Sequence, residues 1–85
     1  MIYKVVVERQ VIKQLSKIPK PAYTALTEAL RHLATNPRPN GYIKLKGRPG
    51  FRIRVGDYRI IYNIEDDVLT VMVVLIGHRK DVYDQ

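Results

Sequence analysis

The chain contains no cysteine, few acidic side chains and no long apolar run among its 85 residues. Without a thiol there is no disulfide, no thiolate nucleophile and no cysteine-ligated metal. The longest apolar stretch, residues 71–76, is far too short to span a bilayer. The first seven residues are too short and too alternating for a signal peptide. We therefore expect a cytoplasmic protein with no part in a membrane.

The length and the apolar content together predict one folded domain. Eighty-five residues can bury a single hydrophobic core but leave no room for a second. A hydrophobic fraction of 46% is too high for a disordered chain. Residues 1–85 are therefore expected to form one domain.

Positive charge is in excess, with 15 Lys and Arg against 8 Asp and Glu and a formal net charge of +7. Such a balance favours nucleic acid, an anionic surface or an acidic protein as partner. A basic protein with no anionic ligand is the alternative. The distribution favours a ligand, because residues 44–59 contain a single acid, Asp57, among six basic residues: Lys44, Lys46, Arg48, Arg52, Arg54 and Arg59.

Apolar spacing predicts an α+β fold. Residues 2–7 have the β-branched composition of a strand, and helical spacing then runs from Glu8 until Pro19 ends it. A second helix follows Pro21, carries one apolar stripe from Ala22 to Leu33 and ends in the loop at residues 36–41. This αα-hairpin must bury its stripe against something.

The remaining apolar segments predict the sheet that covers the stripe. The expected strands are residues 42–46, 51–55, 58–64 and 68–76. The last is apolar on both faces, which indicates a central strand or one that a partner covers. We predict a helical hairpin on one face of a mainly antiparallel sheet of four strands or slightly more.

Residues 51–62 predict a β-hairpin closed by Gly56 and Asp57. Alternation puts Arg52 and Arg54 on the face opposite to their apolar neighbours. A two-residue loop would also place Arg54 directly opposite Arg59, so that three guanidinium groups converge. Like charges directly opposed destabilise a sheet, and a polyanion bound to this face would offset the repulsion.

Four segments, taken together, resemble the RelE/ParE superfamily of bacterial and archaeal toxin–antitoxin modules. They are residues 44–47, 52–55, 56–62 and 76–83, and the last two are the most distinctive. The resemblance covers nearly the whole chain and implies a RelE-like fold. The chain looks closer to the RelE branch, which cleaves messenger RNA in the ribosomal A site. The ParE branch poisons DNA gyrase and is not a nuclease.

The resemblance implies which residues act. The family's two strand lysines correspond to Arg52 and Arg54, its hairpin arginine to Arg59, its arginine after the last strand to Arg79, and its C-terminal tyrosine to Tyr83. The implied activity is a metal-independent endoribonuclease, in which the 2′-hydroxyl attacks the scissile phosphate. We expect no cofactor and no metal, since the two histidines and scattered acids show no ligand spacing.

The chemistry assigns roles to these side chains. We expect Arg59 and Arg79 to clamp the scissile phosphate while Arg52 and Arg54 orient it, because guanidinium groups offer planar paired donors. Arginine does not lose its proton, so a general base on the strand is doubtful. His78 is the alternative for proton transfer: alternation from Thr70 through Ile76 would keep it on the Arg59 face. Tyr83 would stack on a base, donate a proton or simply pack.

A further basic set, Lys44, Lys46, Arg48 and Lys80, is expected to surround the site as an electrostatic collar for ribosomal RNA. For the four arginines of the expected site, the alternatives to a catalytic role are a solvated basic face or a docking surface for an acidic antitoxin.

The resemblance also implies partners: a cognate RelB-like antitoxin, the ribosome with its mRNA, and operator DNA only through the antitoxin complex. Two other functions stay open. One is a ParE-like gyrase poison without nuclease activity, against which the basic cluster with His78 argues. The other is a catalytically silent domain that binds RNA or antitoxin, suggested by arginine in place of the strand lysines.

Overall fold

A computed structural model describes residues 2–79, which form two helices and a five-stranded sheet. The elements, in chain order, are β1 Lys4–Val7, α1 Arg9–Ser16, α2 Ala22–Thr35, β2 Ile43–Lys44, β3 Phe51–Val55, β4 Tyr58–Glu65 and β5 Thr70–His78, with a short 3-10 turn at Asp66–Val68 before β5. The expected α+β class, with a helical hairpin on a mainly antiparallel sheet, is confirmed. Neither helix in this part of the chain is long and apolar enough to cross a membrane.

The strands lie in the order β1-β5-β4-β3-β2. β1 runs parallel to β5, and every other neighbouring pair is antiparallel. β5 therefore lies inside the sheet, which explains why its sequence is apolar on both faces. β2 is shorter than expected, with two residues instead of five, and β5 extends two residues further, to His78.

Both helices pack on the same face of the sheet, which we call the helix face. The apolar stripe predicted for α2 supplies Leu26, Leu30 and Leu33, and α1 adds Val11 and Leu15. The strands contribute the facing half of the core: Ile53, Ile60, Tyr62, Val71, Val73 and Ile76. Burial of these side chains is the main force that holds the helices on the sheet.

The other face of the sheet, which we call the open face, carries a smaller apolar cluster. Leu45 and Ile61 are buried there against Val74 and Leu75. Leu45 is held in place because its backbone N–H donates to the carbonyl of Gly50 at 3.0 Å. This cluster lies beside the arginines of the β3–β4 hairpin, since Ile61 is the register partner of Arg52.

A β-bulge in β5 changes which residues face the helices. Tyr62 pairs with Val73 and Ile61 pairs with Leu75, so Val74 is an extra residue in the ladder. Val71 and Val73 lie on the helix face before the bulge, and the even-numbered Ile76 lies there after it. Every side chain beyond Val74 is therefore on the opposite face from the one that plain alternation predicts.

Tyr62 anchors the loop after α2 to the core. Its side chain is fully buried, and its hydroxyl donates to the carbonyl of Pro37 at 2.7 Å. Tyr62 and Tyr58 share the helix face with Ile60. Burial raises the pKa of the Tyr62 phenol to about 12.

Tyr62→Phe is expected to lower the free energy of unfolding by about 1 kcal/mol, because the hydrogen bond to Pro37 is lost. In the wild type, a tyrosine that ionises near pH 10 when unfolded and near pH 12 when folded contributes stability that is lost as pH rises through this interval. The variant should lack that alkaline loss. Urea unfolding at pH 7 and between pH 9 and pH 12 measures both effects, with the exposed Tyr23→Phe as control; equal losses in the two variants would contradict the prediction.

Asp66 ties three distant segments together. Its carboxylate accepts hydrogen bonds from the Tyr3 hydroxyl at 2.7 Å and from Arg38 Nη2 at 2.8 Å. These bonds hold the pKa of Asp66 below its ordinary value, with Arg38 as the larger cause. The charged carboxylate thus joins the start of β1 and the loop after α2 to the turn before β5.

Asp66→Asn is expected to unfold at a lower temperature than the wild type at neutral pH. A depressed pKa contributes stability that is present above about pH 4 and is lost as pH falls through the folded-state value. The gap between the two proteins should therefore close as the buffer is taken below pH 4. Thermal unfolding at several pH values tests this, with Asp67→Asn as the matched neighbour. A gap that stays constant with pH would contradict the role of the carboxylate charge.

Candidate nucleic-acid interface

The β3–β4 hairpin has the predicted register. Val55 pairs with Tyr58 and Arg54 with Arg59, and the loop between them consists of Gly56 and one further residue. Gly56 has φ +60°, a left-handed conformation that glycine adopts readily at this position of a two-residue loop. Because the loop-closing pair is hydrogen-bonded, Arg54 and Arg59 form the closer, non-hydrogen-bonded pair, with Cα atoms roughly 4.5 Å apart.

Three arginine side chains therefore project from one patch of the open face. Arg52, Arg54 and Arg59 define this arginine face, and their exposure is graded. Arg52 is only 6% exposed, Arg59 is half-buried and Arg54 is exposed. Burial of the Arg52 stem beside the smaller apolar cluster fixes its direction, while Arg54 is accessible to a ligand.

Arg79 joins this patch from the end of β5. Its backbone N–H donates to the carbonyl of Asp57 at 2.8 Å, which continues the ladder one residue beyond β5. Gly77 is the register partner of Arg59, so Arg79 lies diagonally across from Arg59, with Cα atoms roughly 7–8 Å apart. No β5 side chain lies directly opposite Arg59, because its partner is glycine.

Asp57 positions Arg79, a role that the sequence did not reveal. The sequence marks Asp57 only as a turn residue, yet its Oδ1 lies 3.9 Å from Arg79 Nε in addition to the backbone bond. Both side chains are well exposed, at 61% for Arg79 and 65% for Asp57. An ion pair this exposed adds little stability, so the backbone hydrogen bond is the contact that places Arg79 beside the hairpin loop. The only sequence signal was an isolated acid within a basic segment.

His78 does not lie on the arginine face, and that expectation is wrong. It is the register partner of Tyr58, and the two rings meet edge to face with centroids 5.5 Å apart on the helix face. Thr70 and Met72 do lie on the Arg59 side, as the alternation predicts. The bulge at Val74 then reverses the alternation and carries His78 to the other side of the sheet.

The described collar residues are not all on the side of the arginine face. Lys44 is the register partner of Phe51 and therefore points to the helix side. Lys46 and Arg48 are exposed in the loop between β2 and β3. That loop precedes the end of β3 that carries Arg52, and it is roughly 13 Å along the strand from the hairpin loop, at 3.3 Å per residue. Lys80 and Tyr83 lie outside the described residues.

The arrangement is suited to binding and stabilising phosphate charge. Guanidinium groups stay charged at every relevant pH and donate paired hydrogen bonds to phosphate oxygens. Among residues 2–79 both histidines lie elsewhere, His32 on α2 and His78 on the helix face. In the same range, no three His, Asp or Glu side chains gather closely enough to hold a metal ion. The described arginine face is therefore chemically suited to charge stabilisation and orientation rather than to proton transfer.

Comparisons with known proteins give a consistent assignment. The family model described as "ParE toxin of type II toxin-antitoxin system, parDE" matches residues 5–83. The chain is 33% identical over 73 residues to Toxin RelG of Mycobacterium tuberculosis, an alignment that covers 84% of each protein.

Solved structures show the same fold. The archaeal RelE–RelB complex from Pyrococcus horikoshii contains a chain that superposes with a TM-score of 0.84 and 31% identity, covering 96% of this protein and all of that chain. The toxin–antitoxin complex RelBE2 of Mycobacterium tuberculosis gives a TM-score of 0.81 and 29% identity, covering 93% of this protein and all of that chain. Both relatives were crystallised with an antitoxin.

Proposed function

We propose that this chain, which belongs to the RelE/ParE family of toxins of type II toxin–antitoxin systems, is a ribosome-dependent endoribonuclease that cleaves mRNA in the A site. One observation carries the proposal beyond the family assignment. Arg54 and Arg59 are held directly opposite each other, and Arg79 is tied beside them by Asp57. A phosphodiester bound between these groups offsets a repulsion that the fold alone does not require.

The proposed reaction is attack of the RNA 2′-hydroxyl on the adjacent phosphorus, with release of the 5′-oxygen of the next nucleotide. The attacking oxygen loses a proton and the leaving oxygen gains one. Arg59 and Arg79 bind the phosphate oxygens, on which negative charge accumulates in the transition state. Arg54 contacts the same phosphate or the next, and Arg52 adds positive charge behind it from a buried position. Tyr83, outside the described residues, is proposed to stack on a base or transfer a proton.

A protein antitoxin is the partner that controls this activity in the proposal. Two of the structural relatives are RelE–RelB or RelBE2 complexes, which supports an antitoxin partner for this chain. The net charge of +7 suits an acidic, RelB-like antitoxin. Operator DNA would be contacted only through that complex.

Primer extension on mRNA tests the proposed reaction. The protein is added to a translation extract, with one message translated and a second message, which lacks a ribosome-binding site, present in the same tube. Breaks within codons of the translated message alone are expected. Equal cutting of both messages would contradict ribosome dependence, and intact messages together with growth arrest of producing cells would contradict the nuclease.

A second candidate is a non-nuclease gyrase poison, which the description of the matching family model as a ParE toxin favours. Purified gyrase and supercoiled plasmid distinguish the two. A poison would trap cleaved plasmid and leave the messages intact, whereas the proposed nuclease would cut messages and leave supercoiling unchanged. A silent binding domain would do neither.

A further inference from the structure

The arginine face reaches the outer edge of the sheet at Arg54. β2 pairs with Phe51 and Arg52, and within residues 2–79 no strand lies alongside the rest of β3 on that side. Neighbouring strands lie roughly 4.8 Å apart, so a phosphate bound between Arg54 and Arg59 is within about one strand spacing of this edge. A nucleotide held by that phosphate therefore has room to extend past the edge of the sheet.

A groove of about 600 Å³ opens at the same edge, between β3 and α2. Arg52 and Arg54 line it from the arginine face, whereas Ile53 and Val55 line it from the helix face. The groove is therefore continuous with the proposed phosphate site, and its volume is in the usual range for a bound ligand. No carboxylate lines it in the described part of the chain, so the charge at its opening favours an anionic molecule.

The groove combines apolar surface on two sides with polar side chains. Ala29 and Leu33 lie one turn apart on α2, and Ile53 lies on the β3 side. His32 and Asn40 also line the groove, and both side chains are exposed and able to donate and to accept hydrogen bonds. Proteins that take up an unstacked nucleobase hold its flat faces against aromatic or apolar side chains and form hydrogen bonds to its polar edge. The lining of this groove matches that pattern.

We infer that the groove binds one base of a single-stranded RNA whose phosphate lies on the arginine face. The base packs against Ala29 and Ile53, and His32 and Asn40 contact its edge. Contacts to phosphate position a nucleic acid but carry no sequence information, so a base preference of this protein would arise in the groove. The inference deepens the proposed function, and it rests on RNA as the ligand of the arginine face but not on cleavage.

The test compares two forms of one trinucleotide, ApApA with 2′-O-methyl riboses and the same backbone without any base, titrated into the ¹⁵N-labelled full-length protein. Methylation removes the attacking hydroxyl, so neither form can be cut. Both forms carry the same phosphates and would bind equally to the arginine face alone. Saturable NMR shifts are expected with ApApA at the amides of Ala29, Leu33 and residues 53–55. The backbone without bases should bind about tenfold more weakly, the effect of losing one base contact.

Three protein variants locate the base. Ala29→Leu narrows the groove and should weaken ApApA several-fold, whereas Ala25→Leu makes the same change one turn earlier, at an exposed position outside the groove, and should leave binding unchanged. Because Ala29 also contacts the core, His32→Ala provides a second test at an exposed position. It should weaken ApApA about fivefold, the effect of one hydrogen bond.

The inference and the nuclease can fail independently. Absent or equal binding of the two trinucleotides, shifts confined to the arginine face, or equal effects of Ala29→Leu and Ala25→Leu would overturn the inference. Base binding in the groove by a protein that leaves translated messages intact would support the inference and contradict the nuclease. Cleavage of translated messages by a protein whose groove amides do not respond to ApApA would do the reverse.

Discussion

Arg59→Ala is expected to lower the rate of ribosome-dependent mRNA cleavage by about 10²–10³-fold, the loss seen when one preorganised donor to a developing negative charge is removed. Arg59 is central to the arginine face, since it lies directly opposite Arg54 and is the register partner of Gly77, two residues before Arg79. Its removal also relieves repulsion with Arg54, so stability should not fall in parallel with activity. Single-turnover cleavage on programmed ribosomes measures the rate, and urea unfolding measures the stability.

Arg31→Ala is the matched control for this experiment. Arg31 is exposed on α2, where it forms an exposed ion pair with Glu28 at 3.4 Å, and it does not belong to the β3–β4 hairpin. It removes the same charge from the protein, so a rate within about twofold of the wild type is expected. Equal losses in both variants would show that net charge, not the position of Arg59, determines the rate. An undiminished rate in Arg59→Ala would exclude Arg59 from the phosphate site.

Ile60→Ala is expected to lower the free energy of unfolding by about 2–5 kcal/mol. Ile60 is fully buried between β3 and β5 under the helices, and the smaller side chain leaves a cavity in close-packed surroundings. A domain of this size has about 5–15 kcal/mol in total. The loss would bring the protein near its unfolding threshold, which urea titration at 25 °C measures.

Ile12→Ala makes the same chemical change at an exposed site. Ile12 is 56% exposed on α1, and alanine is the better helix former, so the free energy of unfolding should change by less than about 0.5 kcal/mol. A similar loss in Ile60→Ala and Ile12→Ala would contradict the assignment of Ile60 to the core. A change in the denaturant dependence itself would instead indicate an altered unfolded state.

The hairpin register could be predicted from sequence because local chemistry determines it. Gly56 followed by Asp57 between two alternating segments is a strong turn signal, and the side-chain alternation then places Arg52, Arg54 and Arg59 on one face. The apolar stripe of α2 was equally readable, because its spacing alone identifies the buried side.

The position of His78 could not be predicted in the same way. The run from Val71 to Ile76 is apolar at every position, so no polar residue in it marks where the alternation changes. The bulge at Val74 depends on how β5 pairs with β4, which is a tertiary property. The short length of β2 was missed for a similar reason, since the sequence favours a five-residue strand, whereas the turn at Tyr42 delays its start.

The parallel pairing of β1 with β5 has a consequence for the order in which the sheet forms. Lys4 pairs with Thr70, so β1 cannot take its place in the sheet until β5 has been made. β4 also needs β5 as its neighbour, and Arg79 follows β5 directly. Such distant pairings form late because a long loop must close first. Arg79 therefore joins Arg54 and Arg59 only after β5 has been made and has paired with β4, so this part of the arginine face forms late in folding.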